Sequence, residues 1–286
     1  MATVMQNIVS GINTSALVMS AALGLVIIFG LMNVINMAHG ELLMIGAYMT
    51  YFTTKVNTLP YGVALLVAFG VTAGIGVLIE VLVIKKLYSK PTETLLATYG
   101  ISLMLERVVY LVFGAATRNI PMPFPGTTVL GGVTIPNYNI FVICFSVGLL
   151  LFNIFLFQKT KFGIKMRAIM QNRNMTECLG IETSKVDTWT FAYGAGLAGV
   201  AGALLAPVIS VTPGLGSPYL TESFMTVVVG SVQSLLGTAL GSLIIGETRT
   251  ILSGLTNTVT AKIFVFLMII VLIRFKPGGL FARERR

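Results

Sequence analysis

Asn33, Asn36, His39 and Glu41 fall within nine residues, where the apolar runs Ser15–Met32 and Gly40–Thr54 meet. An imidazole two residues from a carboxylate could in principle relay protons, ligate a metal or hold a solute. One His and one Glu fall short of the three or four ligands that zinc takes. No nucleophile, base and orienting group come together in any motif of the chain. No metal, cofactor or catalysis is therefore expected of these residues. An unpaired polar group in an apolar medium costs several kcal/mol, so each of the four needs a partner or water. Two readings stay open: caps and hydrogen bonds that hold a break in the chain, or the lining of a solute route. Thr226, Ser231 and Gln233 interrupt the run Phe224–Ile245 in a comparable way and join the candidate pathway set. A neutral solute would ask for such hydrogen-bonding groups rather than a countercharge.

The elements that must carry these residues are apolar throughout. Of 286 residues, 55% are hydrophobic and 10% charged, and the mean hydropathy is +0.90. Soluble domains carry about a quarter charged residues, so a water-soluble fold is not expected. A helical span takes roughly 20 apolar residues. Further runs at Tyr61–Ile84, Thr94–Gly114, Asn139–Gln158, Thr188–Ser210 and Thr258–Arg274 bring the total to eight. The expected fold is one all-α membrane domain over residues 1–286, with about eight transmembrane or re-entrant helices. No alternating ten-residue pattern suggests a barrel.

Charge fixes the sides. Fourteen of the 19 Lys and Arg lie in three short segments, Lys85–Lys90, Lys159–Lys185 and Arg274–Arg286, as cytoplasmic loops do. They form no stripe with interleaved aromatics, so the net charge of +9 does not point to nucleic acid. The first basic residue is Lys55, so a cleaved leader is not expected. Alternating the loops leaves one crossing too many before a cytoplasmic C-terminus, so one late run must be broken or re-entrant. Phe224–Ile245 is the candidate, with Gly230, Gly237 and Gly241 in it. Paired interrupted segments in the two halves predict inverted repeats around a central solute route. Small residues recur every fourth position at Gly194, Ala198, Gly202 and Ala206, predicting close helix contact, as do Gly70–Gly74 and Gly237–Gly241. Glu80, Glu106, Arg107, Glu247 and Arg249 are read as buried pairs between helices or residues near the interface. Cys144 and Cys178 fall in different environments and are expected to be unpaired.

The segment Lys159–Lys185 predicts two short amphipathic helices, with Ile164 and Ala168 on one, Met175, Cys178 and Leu179 on the other, and a stop at Gly180. Phe162, Ile164, Met170 and Leu179 are expected to dock a partner.

Residues Gly30–Tyr48, around Asn36-Met37-Ala38-His39-Gly40-Glu41, resemble the early signature of the branched-chain amino-acid and urea permeases of bacterial ABC importers. The segment ending Cys178-Leu179-Gly180-Ile181 resembles that family's coupling loop. Gly230–Thr238 resembles a later signature, departing from it at Ser231, Gln233 and Ser234, and Lys276–Phe281 resembles its C-terminal end. Asn36–Met44 and Met170–Arg173 are closer to the urea type than to the branched-chain type. The resemblance implies a permease subunit in the bacterial cytoplasmic membrane that imports urea or a short amide by alternating access. The branched-chain amino-acid type is the alternative, followed by a stand-alone channel or carrier coupled through His39, Glu41 or Glu106. The implied partners are ATP-binding ABC subunits, a second homologous permease and an extracytoplasmic solute-binding protein. Phe162, Gly163, Ile164, Arg167, Ala168, Cys178, Leu179, Gly180 and Ile181 would couple to the ATPase. The chain carries no phosphate-binding loop of its own, so ATP would be hydrolysed by another polypeptide.

Overall fold

The computed structural model describes residues 2–88, 90–130, 133–276 and 278–281. Pro277, Arg283, Arg285 and Arg286 lie outside them. The helices are α1 (Ala2–Met32), α2 (His39–Tyr51), α3 (Tyr61–Leu82), α4 (Pro91–Phe113), α5 (Asn137–Lys159), α6 (Lys161–Gln171) and α7 (Arg173–Cys178). They continue with α8 (Thr183–Leu205), α9 (Gly216–Gly230), α10 (Leu235–Leu255) and α11 (Thr258–Phe275). A two-stranded antiparallel hairpin, β1 (Thr127–Leu130) with β2 (Val133–Pro136), sits between α4 and α5. Among the described residues, seven helices are long and apolar enough to cross a bilayer: α1, α3, α4, α5, α8, α10 and α11.

Local chemistry sets the ends. Asn33 closes α1 in the left-handed region (φ 54°), which a short polar side chain tolerates. Pro60 precedes α3 and Pro91 opens α4, where the missing N–H is no loss. Ser234 and Asn257 accept from backbone N–H groups of the first turns of α10 and α11.

The late break falls inside the predicted run, while the two arms around it are longer than the sequence reading gave them. Phe224–Ile245 is two elements parted by the turn at 231–234, and α9 already begins at Gly216 while α10 runs to Leu255. Ser217, Thr221 and Glu222 keep the start of α9 from reading as apolar, and Glu247 and Arg249 do the same for the end of α10. Similarly α1 starts at Ala2, well before Ser15, because Gln6, Asn7 and Asn13 mask its first turns.

The chain folds as two opposed halves. In the first, α1 runs its full length, the chain turns back through 33–38, and α2 starts beside the middle of α1: His39 Nε2 donates to the Ala21 carbonyl at 3.0 Å. Ala21 is eleven residues short of Met32, about 16 Å of helix. In the second, α8 runs the other way, the chain returns through 206–215, and α9 starts where α2 does. A Cβ on Gly40 would lie 2.5 Å from the Gly216 carbonyl oxygen, so the two helix starts touch backbone to backbone. α1 packs on α10 as α3 packs on α8, which is the pairing an inverted repeat produces. Contacts along α10 fix its sense: Gly11 meets Glu247, Gly30 meets Val232, and Gly230 meets Gly237.

α8 lies at the centre. Gly194, Gly199 and Gly202 touch the backbones of α1, α3 and α2 in turn, so the predicted small-residue face is the main packing surface. Gly70 and Gly74 differ: nothing lies within 4 Å of either. The same spacing on α3 points out of the bundle, because the opposite face of α3 carries Ala68, Thr72 and Gly76 against α8.

One end gathers the segments at 33–36, 83–88, 159–182 and 231–234 with Gly279 and Leu280. Arg173 covers the Tyr88 ring at 5.1 Å, and the Leu280 N–H donates to the Val229 carbonyl at 2.8 Å. The Lys85–Lys90 and Lys159–Lys185 clusters and Lys276 share this basic end. The hairpin, Arg118, Val211 and the start of α1 form the other: Arg118 and Val211 bridge, and Gln6 donates to the Thr134 carbonyl at 3.1 Å.

Candidate solute route and docking loop

The seam between α2 and α4 carries polar groups along its length. On α4, Thr94, Thr98, Ser102 and Glu106 recur every fourth residue and so share one face. Thr98 Oγ1 accepts from the Met37 N–H at 3.1 Å and donates to the Ile35 carbonyl at 3.2 Å, which holds the returning segment. Ser102 Oγ approaches Glu41 Oε1 at 3.4 Å, and Glu106 faces the same carboxylate from one turn further along. Glu106 also lies beside Gly214, in the segment leading to α9. Toward the opposite end, the Tyr48 and Phe113 rings meet tilted with centroids 4.6 Å apart, and Arg118 lies over Tyr51.

Of the predicted pathway residues, Asn36, His39, Glu41, Thr226 and Ser231 are buried. Asn36 Oδ1 accepts from the Ala38 N–H at 3.0 Å and so shapes the turn into α2. Asn36 Nδ2, His39 Nδ1, Glu41 Oε2 and Tyr48 OH find no hydrogen-bond partner among the described residues. In a hydrocarbon setting each such atom costs several kcal/mol, so they call for water, solute or another polypeptide. Asn33, Asn36, His39 and Glu41 come together at the first break. Thr226, Ser231 and Gln233 belong to the second: Thr226 bonds the Glu222 carbonyl within α9, Ser231 (φ 104°) makes the turn, and Gln233 is exposed at the basic end. The two sets form no single cluster.

Sequence reading missed Ser102, Thr98, Tyr48 and Arg118. The four-residue repeat on α4 was a visible signal for the first two. Arg249, read as a charge paired between helices or near the interface, pairs with Glu222 of α9 at 2.7 Å; Glu222 itself and Lys262, 3.5 Å from it, were not singled out. A hollow of about 450 Å³ on α5, lined by Phe141, Cys144, Phe145, Gly148 and Leu149, is apolar and holds none of the predicted route residues.

At the basic end, α6 and α7 are the two predicted short helices, capped by Thr160 and Asn172, with Gly180 (φ 78°) ending the second. Ile164, Arg167, Cys178, Leu179 and Gly180 are exposed. Phe162, Ala168, Met170 and Ile181 are half-buried; Phe162 packs on Phe157. Gly163 is buried against the Phe157 backbone, a contact no side chain would allow, so its place is structural. Cys144 and Cys178 are both free and exposed.

Seven spanning helices, two opposed half-helices and a polar seam define a polytopic membrane transport protein. The chain belongs to the family of branched-chain amino acid transport system permease components, whose family model matches residues 7–273. It is similar to the high-affinity branched-chain amino acid permease protein BraD of Pseudomonas aeruginosa PAO1, 29% identical over 98% of this chain and 96% of the relative. It is likewise similar to LivH of Escherichia coli K12, 28% identical over 98% and 96%, and to a probable LivH of Methanocaldococcus jannaschii, 29% identical over 93% and 89%. No solved structure matches the chain. These relatives are transport permeases rather than enzymes. Their names are those of branched-chain amino acid systems, so the urea type read from Asn36–Met44 and Met170–Arg173 is not supported, and the alternative reading fits better.

Proposed function

We propose that this chain is a permease subunit of an ABC importer that carries branched-chain amino acids inward through the α2–α4 seam. The observation that supports this most is the pair Glu41 and Glu106. Neither carboxylate has an ion-pair partner among the described residues, and Glu41 Oε2 has no partner of any kind. A buried carboxylate, Glu41, with the half-buried Glu106 beside it and no cation paired to either, suits the ammonium group of an amino acid and gives no advantage to uncharged urea. Met44, Ile45, Leu105 and Val109 offer apolar surface along the same helices for a branched side chain. In this reading Asn36 and His39 hold the entry to α2 while presenting their free nitrogens to the route. Asn33, Thr226, Ser231 and Gln233 belong to its inner end.

The basic end faces the cytoplasm, as the excess of Lys and Arg favours. An impermeant thiol reagent added outside is expected to label a cysteine placed at Thr128 and to spare one placed at Lys165, in a background lacking Cys144 and Cys178. Labelling of both from outside would reverse the orientation. Exposed Ile164 and Leu179 then meet an ATP-binding subunit. A second homologous permease and an extracytoplasmic solute-binding protein complete the importer, as expected for this family.

Uptake of labelled leucine and of urea into cells bearing the complete importer tests the solute. Leucine uptake that unlabelled isoleucine suppresses, with no urea uptake above a strain lacking this chain, is the expected result. Urea uptake without leucine uptake would contradict it.

A further inference from the structure

A buried polar network ties α7 to the ends of α3 and α8. Arg173, the first residue of α7, places Nη2 2.6 Å from Asp187 Oδ2 and 3.3 Å from Thr183 Oγ1, and Nε 3.5 Å from Glu177 Oε1. Its guanidinium covers the ring of Tyr88, in the basic link between α3 and α4. Tyr88 OH donates to Glu80 Oε1 at 2.9 Å, and Thr188 Oγ1 donates to Glu80 Oε2 at 2.6 Å. Glu80 is 0% exposed and Asp187 2% exposed. One arginine thus serves two buried carboxylates, reaching Asp187 directly and Glu80 through the phenol. Burial pushes the Tyr88 hydroxyl well above the ordinary phenol range, so it stays a donor at physiological pH.

Such an arrangement is poorly suited to adding stability, because two charges are desolvated for one cation. It is well suited to having two positions. A charge-assisted bond of 2.6 Å is lost on a shift of an ångström or so, and Arg173 is the cation on the docking segment that reaches across to the carboxylates of α3 and α8. Behind Glu80 and Asp187 stands the tightest kind of helix contact. Gly76 meets Ala195, Gly196 meets Phe69, and Gly199 meets Ala68 and Thr72, so α3 and α8 shift together.

We propose that Arg173, Tyr88, Glu80 and Asp187 form the joint that passes displacement of the docked loop to the α3–α8 pair, and that they are positioning residues for transport. They touch neither solute nor nucleotide. This rests on the reading of α6–α7 as the ATPase-docking loop.

The test uses the complete importer in proteoliposomes and reads two quantities: ATPase subunit recovered with the chain, and solute moved per ATP hydrolysed. Tyr88→Phe, which removes one hydroxyl, is expected to keep recovery of the ATPase subunit and basal hydrolysis while lowering solute per ATP at least tenfold. Arg173→Lys, which keeps the charge and loses the planar fork, is expected to do the same should Tyr88→Phe lower the yield. Leu179→Asp is expected to lose the ATPase subunit instead. An unchanged solute-to-ATP ratio in Tyr88→Phe and Arg173→Lys, with docking intact, would overturn the joint. Full recovery of the ATPase subunit with Leu179→Asp would overturn the docking reading beneath it.

Discussion

Gly40→Val is expected to abolish uptake and to cut the yield of folded protein sharply, while Gly70→Val leaves yield unchanged. At Gly40 a Cβ would sit 2.5 Å from the Gly216 carbonyl oxygen and 3.0 Å from the Leu220 Cβ. The first neighbour is backbone, which cannot rotate aside, so the starts of α2 and α9 must part. Overpacking of this kind costs about 3 kcal/mol. That is a large fraction of a domain's net stability. The damage is not confined to stability, because α2 and α9 hold the two breaks of the route. At Gly70 no atom lies within 4 Å, so the same substitution meets nothing inside the chain. Detergent-solubilised yield and thermal unfolding of the two variants, side by side, decide this. Equal behaviour would mean that the junction of the half-helices is not as described.

Glu41→Gln is expected to lower leucine uptake ten- to a hundredfold without loss of the ATPase subunit. A hydrogen bond to a charged group is worth about 1.5 to 3 kcal/mol net, and 1.4 kcal/mol is a factor of ten. Gln keeps the volume and one acceptor beside Ser102, so packing of α2 against α4 survives. Glu41→Asp, which keeps the charge but shortens its reach, should fall between the two. Leucine uptake at the original level in Glu41→Gln would remove the carboxylate from any part in holding the ammonium group.

Much of the fold is legible in the sequence because bilayer crossing is a local property. The runs that became α3, α4, α5, α8 and α11 need only length and hydropathy, and α6 and α7 need only the spacing of Ile164, Met175 and Leu179 with a left-handed Gly180. What is not legible is tertiary. Gly70–Gly74 and the row Gly194–Gly202 carry the same spacing, yet the first faces outward and the second is the packing centre. Which face of a helix turns inward depends on partners more than a hundred residues away. Local polarity hid the start of α9, since Ser217 and Glu222 count against an apolar run whether or not they are buried. The four-residue repeat from Thr94 to Glu106 was readable, but its meaning comes from Glu41 across the seam. The solute preference failed for a related reason. A few residues around Asn36–Met44 spoke for urea, while likeness over nearly the whole chain runs to branched-chain amino acid permeases.

Reconstitution tests the central claim most directly. This chain, its permease partner and the ATPase subunits are placed in liposomes, with leucine and the solute-binding protein on the side of Thr128 and ATP on the side of Lys165. Leucine should accumulate against its gradient, and accumulation should stop when the ATPase carries a dead phosphate-binding loop. Leucine that crosses equally well with the dead ATPase, or with no ATPase at all, would make the chain a channel or carrier in its own right.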